Sequence, residues 1–104
     1  MCMSNVISIG ASGLDAATRR LSAAASNIAN ASTPDYQPIA AVQQASPDFG
    51  GVSSAFAARG GPPGVDLARE AVDVSQAVNS YKANAAVIRA VDDMQRELLR
   101  DFRV

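Results

Sequence analysis

The sequence contains no histidine and no tryptophan, and only one cysteine, two tyrosines and three phenylalanines among 104 residues. Lacking histidine, the chain has neither the commonest general base nor the commonest transition-metal ligand. The one thiol, Cys2, can make neither an internal disulfide nor a cysteine-rich zinc site, and it reads as incidental. A long hydrophobic run is missing as well: no stretch approaches the 18 or so apolar residues of a membrane helix, so no membrane insertion is expected. No charged and apolar leader precedes Cys2, and export without a cleaved signal peptide is expected if the chain leaves the cytoplasm. Basic runs are also absent. Nine basic residues face ten acidic ones, for a net charge of −1, and the two signs are interspersed. Such a chain has little means of displacing phosphate counterions, so nucleic acid is not an expected partner.

What the sequence does have is small apolar residues. Hydrophobic residues make up 48% of the chain, and alanine dominates them. A domain of this size buries only part of its surface, and alanine builds a thin core suited to close helix pairing rather than to a deep ligand pocket. Candidate catalytic groups are correspondingly weak. Asp92 and Asp93 are sequence neighbours, about 100° apart on a helix, and cannot act as a facing pair. The serines have no histidine to activate them, and the glycine-bearing stretches at residues 10–13 and 59–64 lack the lysine and the strand-to-helix context of a phosphate loop. No enzyme activity and no cofactor or metal are expected.

Organisation along the chain is clearer. Ile7, Leu14, Leu21 and Ile28 recur every seven residues, with Gly10, Ala17, Ala24 and Ala31 three residues after each. That is a heptad seam in which one position is large and the other small, and it predicts a helix over residues 4–32 with Ser4 as a cap. Asn27 and Asn30 fit a helix end, and Pro34 drives Thr33 out of helical space. Residues 33–64 hold all five prolines and five of the seven glycines. They read as a linker with turns, in which Gln37–Gln44 and Gly51–Ala58 can pair as a hairpin, and order over 45–64 is left open.

A second helix is predicted over 65–102, capped by Asp66. Its seam runs through Leu67, Ala71, Val74, Val78, Tyr81, Ala85 and Ile88, then drifts to Val91, Met94, Leu98 and Phe102. The expected fold is therefore mainly α: two long antiparallel helices forming a coiled-coil-like hairpin, with a short irregular or β-hairpin middle, in a single domain spanning 1–104. Two such rods joined by a loop rarely cover all of each other's apolar surface, which argues for partners.

The segments 12–38 and 65–99 carry a family resemblance. The first holds Asn27, Ile28, Ala29, Asn30, Thr33, Pro34 and Tyr36; the second holds Glu70, Tyr81, Asn84, Val87, Ile88 and Met94. This pattern resembles the N- and C-terminal signatures of the bacterial flagellar axial proteins of the rod and hook, and most resembles a short proximal-rod protein. Asp35 stands where the family usually has glycine, and the middle lacks room for the large β-rich domains of hook and distal-rod proteins. The resemblance implies a structural subunit of the basal-body rod in the periplasm, carried there by the flagellar type III export apparatus. It would polymerise through its terminal helices with copies of itself and other axial proteins. Ile7, Leu14, Leu21, Ile28, Leu67, Val74, Val78, Tyr81, Ile88, Val91 and Leu98 would be its packing residues, and Asn27, Asn30, Thr33, Pro34 and Tyr36 its turn. A secreted helical-hairpin protein and a cytosolic helical adaptor or export chaperone are the alternatives.

Overall fold

The computed structural model describes residues 3–48 and 50–103; Cys2 lies outside them. Four elements follow in chain order: α1 (Met3–Ala29), β1 (Ile39–Ala45), β2 (Val52–Ala58) and α2 (Leu67–Asp101). The two long helices run antiparallel with the short β-hairpin between them, as the periodicity predicts. The molecule is elongated, extending 67 × 26 × 14 Å.

Small side chains set the helix contact. Gly10, Ala17 and Ala24 are buried on α1, and Ala77 and Val91 are buried on α2. A Cβ on Gly10 would sit 2.9 Å from Cγ1 and 3.2 Å from Cδ1 of Ile88, so even alanine there requires the Ile88 side chain to move. Gly10→Ala regains about 1 kcal/mol of helix propensity, which offsets part of the cost of displacing Ile88. Gly10→Leu must push the helices apart and is expected to cost about 1–3 kcal/mol. Urea unfolding followed by circular dichroism should show that order.

β1 and β2 pair antiparallel, Ile39 opposite Ala58 and Ala45 opposite Val52, close to the strands the sequence predicts. The turn is closed by Ser46 N–H donating to Gly51 O at 3.0 Å and Gly50 N–H to Ser46 O at 3.1 Å. Gly51 has φ 82°, and a Cβ there would collide with Ser12 on α1. The hairpin is held against α1 by Val52 N–H donating to Ser12 Oγ (3.1 Å) and by Gln43 Nε2 donating to Ala16 O (3.2 Å). This anchoring orders much of the 45–64 stretch that composition alone leaves open.

Two local expectations are corrected. Helix α1 begins at Met3, so Ser4 lies inside its first turn rather than capping it. Its end falls at Ala29, five residues before Pro34, because Asn30 closes the last turn: both its backbone N–H and its Nδ2 donate to Ser26 O. For α2, Asp66 is the N-cap as predicted, its carboxylate accepting from the backbone N–H groups of Ala68 and Arg69.

Candidate functional site

Two features are candidates for function: a half-exposed apolar strip along the helices and a buried polar corner at one end. Both follow from where the seams land. Counting 100° per residue, Gly10, Ala17 and Ala24 point at α2, whereas Ala16, Ala23 and Asn27 point at the hairpin. Ile7, Leu14, Leu21 and Ile28 lie about 40–60° round from the neighbouring small seam residues, on the side away from the hairpin. Ile7 and Leu14 are half-buried, and Leu21 and Ile28 are exposed.

On α2 the residues that meet α1 most deeply are Glu70, Ala77 and Val91, seven or fourteen residues apart, with half-buried Asn84 in the same series. The expected seam is rotated from that line. Val74, Val78 and Ile88 are half-buried, Leu67, Tyr81 and Leu98 are exposed, and only Val91 of that set is buried. Leu21, Val78 and Tyr81, with Ala17, Thr18, Ala77 and Lys82, thus line a shallow apolar groove of about 230 Å³ between the helices. The large seam residues are thus covered only in part, with Leu21, Ile28, Leu67, Tyr81 and Leu98 left exposed.

The corner is a polar network. Asn27 is fully buried. Its Nδ2 donates to Ile39 O (2.8 Å) and to Glu70 Oε1 (3.1 Å), and its Oδ1 accepts from Ile39 N–H (2.9 Å) and from the Tyr36 hydroxyl (3.2 Å). One side chain therefore ties α1 to the start of β1, to the turn and to α2. Glu70, also fully buried, takes a second bond from Arg59 Nη1 at 2.6 Å. Arg59 reaches on to Asp73, which in turn faces Arg20 at 3.8 Å.

Of the predicted turn residues, Tyr36 folds back over the helix end, its hydroxyl donating to Asn27 Oδ1 at 3.2 Å and lying 3.3 Å from Ser26 Oγ. Asn27 is the hub of the network rather than a helix cap. Asn30 holds the helix end, Thr33 donates its hydroxyl to Asn30 Oδ1, and Pro34 is exposed in the turn. Asp35 adopts φ 56°, the left-handed geometry expected where glycine is usual. Arg59, Asp73 and Arg20 were not singled out by the sequence. The seven-residue spacing of Glu70, Ala77, Asn84 and Val91 was the signal available for the α2 line.

The fold and the site together define a helical hairpin with exposed apolar residues along one flank and a buried polar corner. Residues 7–37 match the flagella basal body rod protein family, and residues 63–101 match the C-terminal region of the flagellar basal body rod FlgEFG proteins. The chain belongs to the flagellar basal body rod protein family, whose members are structural components of the rod. A search of curated proteins finds no match. Among the described residues no helix is long and apolar enough to cross a membrane.

Proposed function

We propose that this protein is a structural subunit of the basal-body rod, of the short proximal kind, that polymerises through α1 and α2. It acts as a single domain spanning 1–104 and performs no catalysis. The observation that carries this reading is the partly exposed apolar strip, on a chain with two segments that match rod-family sequences. Strip residues Leu21, Val78 and Tyr81 make a groove that accepts side chains from a neighbouring helix, and repetition around an axis would bury it in every subunit. The partners are copies of this chain and other axial proteins. The location is the periplasmic part of the basal body, reached through the flagellar export apparatus.

Leu21→Asp tests this directly. Leu21 is 38% exposed in the monomer, so a carboxylate there stays hydrated in the free chain but must be desolvated at each subunit contact, at a cost of several kcal/mol. The expected result is a normally folded monomer by circular dichroism and cells that complete no rods. Normal rods containing the variant would show that the strip is not an assembly surface.

A further inference from the structure

We propose that the outer edge of β2 pairs with the same edge of a second copy of this chain, joining two hairpins into one four-stranded antiparallel sheet. The contact is separate from the helical strip and does not rest on the rod reading.

The ladder's own hydrogen bonds identify the backbone groups left over. Arg59 N–H donates to Pro38 O at 2.9 Å and Ser46 N–H to Gly51 O at 3.0 Å, one bond at each end of the hairpin. With Ile39 opposite Ala58, that parity turns the amides and carbonyls of Ala40, Val42 and Gln44 toward β2, and those of Ser53, Ala55 and Ala57 toward β1. The alternate residues point outward. The fold uses the first of them on each strand: both backbone groups of Ile39 bond Asn27, and Val52 N–H donates to Ser12 Oγ. Ser54, Phe56 and Ala58 keep outward N–H and carbonyl groups that no described residue takes up. The usual protections of an edge are missing here, since residues 52–58 contain no charge and no proline and pair with β1 without a bulge. Arg59, the next residue, is drawn away to Glu70.

The two edges of the hairpin are not equivalent. Arg19 lies about 160° round α1 from Ala17, which faces α2, and Phe56 of β2 packs on it, with Cζ of Arg19 5.9 Å from the ring centroid. So β2 runs along the side of α1 away from α2. Strand β1 lies toward α2: Ala40, Ala41, Val42 and Gln43 line the cavities between the hairpin and α2, to which β2 contributes only its end residues Val52 and Ala58. A second hairpin brings the helix beneath it. Two hairpins in one sheet have their centres two strand spacings apart, about 9.6 Å, and packed helices lie about 8–10 Å apart. A copy added at β1 would therefore set its α1 in the place of α2, whereas a copy added at β2 sets it beside Ser8, Asp15, Arg19, Ser22 and Ser26, a flank of mainly small side chains.

Strand β2 is also its own complement. Pairing centred on Phe56 sets Phe56 opposite Phe56 of the second copy and Ser54 opposite Ala58, and the three pairs exchange about six hydrogen bonds. Beneath them, the Asp15–Arg19 ion pair of each copy brings two acids and two bases to the contact, which is neutral. An edge that pairs with itself makes a two-fold contact and closes at the dimer.

The experiment measures the oligomeric state of the purified full chain by sedimentation velocity. A dimer is expected, and Ala58→Pro is expected to weaken it about tenfold. The outward amide of Ala58 takes no part in the ladder, so the dilute variant should match the parent in circular dichroism and urea midpoint. Geometry is read separately in a Cys2→Ser background. Directly opposed residues of a hydrogen-bonded pair have Cα atoms about 5.5 Å apart, within disulfide reach, so mild oxidation should link Phe56→Cys to itself. Ala41→Cys, on the outward edge of β1, should stay unlinked. A parent that remains monomeric at millimolar concentration, an Ala58→Pro chain that dimerises as well as the parent, or Ala41→Cys linking as readily as Phe56→Cys would each overturn the proposal. Leu21→Asp, expected to block rods, should leave this dimer unchanged. Loss of the dimer in Leu21→Asp would move the contact to the helical strip, overturning the edge pairing while the rod reading stands.

Discussion

Asn27→Leu is expected to lower the stability of the monomer by about 3–4 kcal/mol, on the scale of a third or more of what a domain of this size has. The reason is the number of groups it strands. Ile39 loses partners for both its N–H and its carbonyl, while the Tyr36 hydroxyl is left with Ser26 Oγ at 3.3 Å and Glu70 Oε1 with Arg59 alone. A leucine fills similar volume but offers none of these bonds, and each buried polar group left unpaired costs about 1–3 kcal/mol before relaxation. Asn27→Asp is expected to be at least as severe, since it sets a second carboxylate at the place of the 3.1 Å contact with Glu70 Oε1. Adding Glu70→Gln to Asn27→Asp should restore part of the loss, because an amide can then donate to the new carboxylate. A double-mutant cycle by urea unfolding measures that coupling. Additive losses at the two positions would mean that the corner is not one network.

Arg59→Met should cost about 3–5 kcal/mol, for a different reason. Glu70 has no exposed side-chain surface, and Arg59 is the only cation bonded to it among the described residues. Taking away the guanidinium leaves a buried carboxylate with Asn27 alone, whereas removing both members of the pair avoids that stranded charge. Arg59→Met combined with Glu70→Leu is therefore expected to recover most of the stability. Each kcal/mol lost should lower the melting temperature by about 4–8 °C in a chain of this length. Calorimetry on the single and double variants checks it, and a double variant less stable than Arg59→Met would show that the pair contributes net stability rather than mutual neutralisation.

The contrast between these residues and the seams explains what could be read from the sequence. Helix periodicity, the position of the hairpin strands and the cap at Asp66 follow from local rules, since each depends on residues only a few places apart. The line of deepest helix contact does not. Leu14 and Leu21 outrank Gly10 and Ala17 in hydrophobicity, but the backbones come closest where the side chains are smallest, and the leucines are displaced to the flank. Glu70 is a charged residue in a region rich in charges, and its burial depends on Asn27, 43 residues away, and on Arg59, 11 residues away. Pairings of that kind arise from the tertiary fold and leave only a weak trace in spacing. The same displacement gives the strip its function under the rod reading, because a seam wholly consumed inside the monomer would have nothing left for assembly.

The central claim is that this chain is a structural part of the rod. Its most direct test is the composition of purified basal bodies from cells carrying a tagged copy of the gene, set beside electron microscopy of basal bodies from cells lacking it. The chain is expected in the purified rod at a fixed ratio to the other axial proteins, with rods absent or interrupted when the gene is deleted. Complete rods and normal swimming without the gene, together with basal bodies that never contain the tagged chain, would contradict the assignment.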